Sequence, residues 1–202
     1  MKEEEKTLSP QLVYEQSKDK HRVVITGSQA KMITAMVIFV LDKSQRVFDF
    51  VTPSPPLGSS SSSRIGDAPL IIIQENEQPT VSILEYHHHI GVISDPPAGD
   101  IAVINQFADA TPKGGILIFS EIDPVGTVGK KDRPGITIIP YKIYPYFTEN
   151  GMVALLSGKN ERVPIRFSGE QNFRNTSAAR EILKKIGITS SQFYSAISRF
   201  VA

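Results

Sequence analysis

The residues that could do chemistry are concentrated in one six-residue turn, Gly27-Ser28-Gln29-Ala30-Lys31-Met32. An apolar run, Val23-Val24-Ile25, leads into it, and residues 32–41 leave it as a second, longer apolar run. A buried strand, a glycine turn and a helix start carrying a lysine make the layout of a phosphate-binding loop, in which backbone N–H groups at the helix N-terminus face an anion. A magnesium-nucleotide loop also needs a second glycine before the lysine, so that backbone closes on phosphate oxygens with no Cβ in the way. It needs Ser or Thr after the lysine to ligate the metal. Ala30 and Met32 stand in those two places. A thioether is a poor partner for a hard, oxygen-seeking cation. The turn therefore predicts a nucleotide-site architecture that has lost its metal, with Gly27, Ser28 and Lys31 as the binding residues.

Three other groups invite a functional reading. Glu77 lies in a loop, 75–79, after an apolar strand at 68–74, on the carboxyl edge where open α/β sheets bind ligands. It reads either as a residual cation ligand or, more simply, as a solvated loop glutamate. His87-His88-His89 suggests a metal, but neighbours on a strand point to alternate faces, so only His87 and His89 could share one. With no cysteine anywhere in the chain, the triplet reads better as the loop that leads into the next strand. Tyr141, Tyr144, Tyr146 and Phe147 form an aromatic cluster with no basic groove interleaved, which favours packing over stacking on nucleic-acid bases.

These residues need elements to hold them. The chain has 202 residues, 40% of them hydrophobic, and a net charge of +1. Such a length suits one domain with a real core, and the near-neutral charge gives no strong pull toward nucleic acid or an anionic membrane. The charged start and the shortness of the apolar runs predict a cytoplasmic protein with no signal segment or membrane span. Residues 1–20 read as a lead-in, with Ser9-Pro10 capping a short helix at 10–17. Strands are expected at 22–26, 46–51, 68–74, 90–94, 115–119 and 135–139, helices at 30–41 and 101–110, and a short helix or turn at 121–128. Continuous apolar strands alternating with helices predict a parallel sheet covered on both faces. Residues 52–67, with three prolines and a run of serines, read as a flexible loop. Residues 141–168 then change to short runs broken by turn residues, an antiparallel appendage. Two helices, at 172–186 and 190–201 with Ser190 as a cap, follow. The whole, 1–202, is expected to be a single α/β domain: a Rossmann-like, P-loop-type, mostly parallel sheet flanked by helices, with a small antiparallel subdomain.

Taken together, several segments resemble the central domain of the Mur ligases, most of all the branch that joins L-alanine or a recycled murein tripeptide to UDP-N-acetylmuramate. Gly27-Ser28-Gln29-Ala30-Lys31-Met32 lies where that family has GSHGKT or GTHGKT. Gln74-Glu75-Asn76-Glu77 lies at its acidic E-x-D-E, and Ser120-Glu121-Ile122-Asp123-Pro124 at its N-x-D-D-P. Gly169-Glu170-Gln171-Asn172-Phe173-Arg174-Asn175, with Ala178-Ala179, lies at its G-x-H-N-x-x-N and double alanine. The matches keep their order over residues 10–202.

The resemblance implies an ATP-binding domain from enzymes that form amide bonds through an acyl phosphate. It implies that Asn172 and Asn175 face the adenine, that Asp123 shapes a turn or touches the ribose, and that Glu77 is the acid left near the metal position. Asn172 reads equally as a helix N-cap. The family's phosphoryl transfer uses the loop lysine, the hydroxyl after it, an acidic magnesium ligand and the histidine of an Asp-His pair. Lys31 matches the first; Met32, Gln74 and the pair Gly99-Asp100 stand at the other three. The expectation is a stand-alone, catalytically degenerate homologue, a pseudoenzyme of peptidoglycan synthesis or recycling, with weak ATP binding and no Mg2+. One alternative is a non-catalytic interaction module whose partner is another protein such as a ligase. A further one is a ligase domain working with separately encoded partner domains.

Overall fold

The computed structural model describes residues 8–56, 58–95, 101–122 and 131–201. In chain order the elements are helix α1 (Pro10–Glu15), strand β1 (His21–Gly27), helix α2 (Ala30–Lys43), strands β2 (Asp49–Val51), β3 (Ser63–Arg64) and β4 (Leu70–Gln74), a 3-10 helix (Val81–Tyr86), strand β5 (Ile90–Ser94), helix α3 (Ile101–Asp109) and strand β6 (Ile116–Ser120). Strands β7 (Thr137–Tyr141), β8 (Tyr146–Glu149), β9 (Met152–Leu156) and β10 (Arg162–Pro164) follow, then helices α4 (Glu170–Lys185) and α5 (Ser190–Ile197).

Seven strands form one sheet in the order β3-β2-β4-β1-β5-β6-β7. All neighbours run parallel except β3, which pairs antiparallel with β2 at the edge. The central strands are apolar at successive positions because both faces are covered. Val23, Ile25, Ile72, Ile90, Val92 and Ile118 point into the layer built by α2, α4 and α5. Val24, Ile71, Ile73, Ile93 and Leu117 point the other way, toward α1, the 3-10 helix and α3. Each fully buried side chain of this size contributes roughly 1.5–3 kcal/mol, so the middle of the sheet is the stable part of the molecule. The second sheet, β10-β9-β8, is the antiparallel appendage that the sequence predicts. Tyr144 and Tyr141 are buried in the core, and Tyr146 stacks on Phe173 at 4.2 Å; the aromatic cluster is packing. Among the described residues no helix is long and apolar enough to cross a membrane.

Local signals explain most boundaries. Ser9 caps α1 by accepting from the Leu12 N–H at 3.3 Å. The strand expected at 46–51 begins only at Asp49, because α2 runs on to Lys43 and Gln45 takes a left-handed conformation that ends it. Residues 52–67 contain β3 and a ladder of serine bonds: Ser59 Oγ donates to Ser61 O and Ser61 Oγ to Ser63 O, at 2.9 and 2.8 Å. Asn172 is not the cap of α4. Gly169, at φ +96°, takes that position, and Asn172 lies in the first turn with Nδ2 donating back to Ser168 O at 2.8 Å. Ser190 is likewise not the cap of α5; Thr189 is, in a reciprocal capping box with Gln192. The short helix or turn expected at 121–128 lies mostly outside the described residues.

The histidine triplet joins the 3-10 helix to β5, at the opposite end of the sheet from the glycine turn. His88 is buried against Phe107, with ring centroids 4.1 Å apart, and its Nε2 is 2.9 Å from Thr111 Oγ1. His89 Nδ1 accepts from the Arg22 N–H and its ring stacks on His21 at 5.0 Å. The Arg22 guanidinium donates to the carbonyls of Ser17, Lys18, Lys20 and His87, which ties the lead-in to the domain. Among the described residues no three His, Asp or Glu side chains converge as a metal-binding group.

This packing makes the fold acid-sensitive. Burial lowers the pKa of His88 to about 3, with His89, His87 and Arg22 adding to the effect; burial and then Arg22 lower those of His21 and His89. A base whose folded pKa is depressed leaves stability intact above its unfolded value and loses it as pH falls below that value. His88 alone is expected to remove about 2 kcal/mol between pH 7.5 and pH 5. Urea unfolding across that range checks this: the wild-type midpoint should fall and that of His88→Gln should fall less. A flat wild-type midpoint would contradict the arrangement.

Candidate functional site

The carboxyl ends of β1, β4 and β5 meet the N-terminus of α2, and the glycine turn crosses between them. Gly27 has φ +101°, and a Cβ built on it would fall 1.6 Å from Ser94 O. Ser94 is its direct partner in the β1–β5 register, so the turn lies flush on the last peptide of β5. The Ser94 hydroxyl then enters the turn. It donates to Thr26 O at 2.9 Å and accepts from the Gln29 N–H at 3.2 Å. One loop N–H that a phosphate oxygen would otherwise receive is thus capped by a side chain of the protein.

On one flank the turn is latched to α4. Asn175 is 1% exposed. Its Nδ2 donates to Gln29 Oε1 at 3.1 Å, and its Oδ1 accepts from Gln171 Nε2 at 3.3 Å. Gln171 Nε2 also reaches Asp95 Oδ2 at 3.1 Å. The chain Asp95–Gln171–Asn175–Gln29 therefore joins the end of β5, the first turns of α4 and the loop. Asn172, half-buried, sits one turn before Asn175 and bonds back to Ser168 O. Thr176 Oγ1 donates to Asn172 O at 2.7 Å.

On the other flank the loop edge is open. A cleft of about 400 Å3 is lined by Lys31, Met32 and Ala35 of α2, by Pro55 and Pro56, by Gln74 and Glu77, and by Phe200. A second hollow of about 540 Å3 continues from Lys31 past Gln74 to Asn76 and Glu77. Lys31 and Glu77 are both exposed, and among the described residues neither has a hydrogen-bond or ion-pair partner. Glu75 faces away from this space. It is buried, accepts from the Asn76 N–H at 2.8 Å and lies beside the Tyr86 hydroxyl; burial raises its pKa.

The residues named by the sequence thus divide into three sets. Gly27, Ser28 and Lys31 are at the turn, and Ser28 and Lys31 line the cleft together with Glu77. Asn175 reaches the turn from the α4 side through Gln29. Asp123 and the pair Gly99-Asp100 lie outside the described residues. Ser94, Gln29 and Gln171, which organise the loop, carry no sequence signal of their own. The resemblance placed Gln29 and Gln171 inside motifs, and only the sheet order brings Ser94 beside them.

Magnesium triphosphate fits this donor set poorly. Met32 presents sulfur where a hydroxyl is needed, Gln74 brings a neutral amide, and the Gln29 N–H is taken. Among the described residues Lys31 is the one cation in the lining of the cleft, which Glu77 also lines. A polyanion needs several donors and counter-charges to replace its hydration.

No protein-family profile matches the chain, and no curated protein matches it in sequence. Solved structures do match in fold. A murein peptide ligase, mpl, from Psychrobacter arcticus 273-4 superposes with a TM-score of 0.71 over 95% of this chain and 49% of its own, at 15% identity. The UDP-N-acetylmuramate:L-alanyl-gamma-D-glutamyl-meso-diaminopimelate ligase of Neisseria meningitides gives 0.77 over 96% of this chain and 70% of its own, also at 15%. MurF ligase of Thermotoga maritima, solved in complex with ADP, gives 0.67 over 95% and 51%, at 12%. The chain spans about half the length of the Psychrobacter ligase. With a mostly parallel seven-stranded sheet between helices and a small antiparallel sheet beside it, the chain has the fold of the Mur ligase central domain.

Proposed function

We propose that this chain is a Mur-ligase-like nucleotide domain that no longer ligates, and that it binds nucleotide weakly, without magnesium, at the edge of its glycine turn. The observation that carries this reading is the Ser94 hydroxyl seated on the Gln29 N–H while Lys31, unpartnered among the described residues, stands beside an open cleft. Lys31 keeps an attraction for a phosphate group. Met32 and Gln74 offer magnesium neither a hydroxyl nor a carboxylate. Asn175 contributes by holding the loop, and a base contact from it would require Gln29 to be displaced. The proposed setting is the cytoplasm, alongside peptidoglycan synthesis or recycling.

Calorimetric titration with ATP, with and without Mg2+, tests the reading on the wild type and on Lys31→Ala. Weak binding that ignores Mg2+ and falls about tenfold in the variant is expected, since one charge-assisted contact is worth about 1.4 kcal/mol. Tight, Mg2+-dependent binding would overturn the loss of the metal site and favour a ligase domain that works with separately supplied partner domains. Absence of binding at high ATP would favour the interaction-module reading, which the apolar cleft beside Phe200 also supports.

A further inference from the structure

The cleft beside the turn has a chemistry that differs from a nucleotide site. Its floor is one face of α2, where Met32 and Ala35 are three residues apart and half-buried. Pro55, Pro56 and Phe200, the last only 1% exposed, line it as well. Phe200 is fixed in place: its ring meets Phe39 edge-on at 5.3 Å and Phe167 at 6.0 Å. Its polar lining is Ser28, Gln29, Ser54, the Lys31 ammonium, the Gln74 amide and the Glu77 carboxylate. Among the described residues the side chains of Lys31, Gln74 and Glu77 have no hydrogen-bond partner.

Resting on the reading above that the loop edge is the ligand site, we propose that this cleft takes a small monoanion with an apolar body, a carboxylic acid on an aromatic or branched hydrocarbon frame. The volume of about 400 Å3 lies within the range of small-ligand pockets. An apolar wall with a few convergent polar groups is the usual design of such sites. The charges decide the class of ligand. Among the described residues one cation and one carboxylate line the space, so a carboxylate can be neutralised by Lys31 and receive a second hydrogen bond from the Gln74 amide N–H. A triphosphate would bring several negative charges to the same single lysine and face Glu77 as well. A neutral hydrocarbon would fill the floor and leave Lys31 and Gln74 without a partner. Met32 agrees with this assignment: a thioether is soft, polarisable and well suited to contact an aromatic ring.

Titration with 2-naphthoate, its neutral analogue 2-naphthamide, inorganic phosphate and ATP, followed by fluorescence or calorimetry, tests the proposal. Naphthoate is expected to bind at least tenfold more tightly than naphthamide and than ATP. Lys31→Ala should bring naphthoate down to the level of naphthamide. Ala35→Phe, which fills the floor from a half-buried position, should abolish binding of both naphthalene probes; an unchanged unfolding midpoint shows that it folds. Equal affinity for naphthoate and naphthamide would overturn the proposal, as would naphthoate binding that survives Ala35→Phe. Naphthoate binding without ATP binding would sustain this proposal and sink the nucleotide reading. ATP binding tighter than naphthoate would do the reverse, and no binding of any probe would remove both.

Discussion

Gly27→Ala is expected to destabilise the protein by about 4 kcal/mol or more, a large fraction of the stability of an ordinary domain. Two effects combine. The backbone at φ +101° suits glycine and disfavours any residue with a Cβ, by about 1–2 kcal/mol. The larger effect is the collision: the added atom would lie 1.6 Å from Ser94 O and 2.6 Å from Ser94 C. Both are backbone atoms in a paired strand, so no rotamer change relieves the overlap. Retreat would break the register that aligns Gly27 with Ser94 and Val24 with Gly91 in the middle of the sheet. Gly151→Ala separates the two effects, because Gly151 also has a positive φ, +78°, yet nothing lies within 4 Å of its Cβ position. Its loss should stay near 1 kcal/mol. Urea unfolding of both variants measures the contrast, and Ser94→Gly should not rescue Gly27→Ala, because the obstacle is the peptide and not the hydroxyl. Similar midpoints for the two alanine variants would refute this account of the turn.

The same contact shows what a sequence can and cannot disclose. Strand β5 was readable to the residue, since a strand covered on both faces is apolar without interruption and Asp95-Pro96 ends it. The turn was readable as well, because glycine, lysine and a long apolar helix lie within a few residues of one another. What closes the turn was not. Ser94 and Gln29 are 65 residues apart, and Asn175 and Gln29 are 146 apart; neither pair leaves a local trace until the sheet order places β5 beside β1 and α4 over the loop. The caps show a milder version of the same limit. Asn172 has the right chemistry for a cap, but Gly169 has the backbone freedom, and the helix starts there. Met32 and Gln74, which the resemblance sets at the metal positions, were visible as residue types. That Lys31, unpartnered among the described residues, ends beside an apolar cleft that Phe200 helps to line depends on α5 packing back against α2.

Lys20→Met is expected to carry the second large penalty, about 3–5 kcal/mol. Lys20 and Asp49 form an ion pair at 2.9 Å with side chains only 9% and 4% exposed. Lys20 Nζ also donates to Gly66 O at 2.6 Å and Ala68 O at 2.8 Å, while Asp49 Oδ2 accepts from the Gly66 N–H at 3.0 Å. Removing the lysine strands a buried carboxylate and two carbonyls together, whereas surface pairs such as Arg162 with Glu149, both more than half exposed, contribute under about 1 kcal/mol. The double variant Lys20→Met/Asp49→Val removes the stranded charge and should recover at least ~1 kcal/mol of the loss, as buried pairs replaced on both sides commonly do. The consequence for the cleft is specific. This pair joins the lead-in to β2 and to the segment before β4, and the loop that leaves β2 carries Pro55 and Pro56, which line the space beside Lys31. Lys20→Met should therefore raise amide exchange in β2 and β3 first and weaken any ligand held against those prolines, while β5 and β6 stay protected until global unfolding. Uniform exchange across the sheet, or a double variant no more stable than Lys20→Met, would show that the pair does not act as this local clamp.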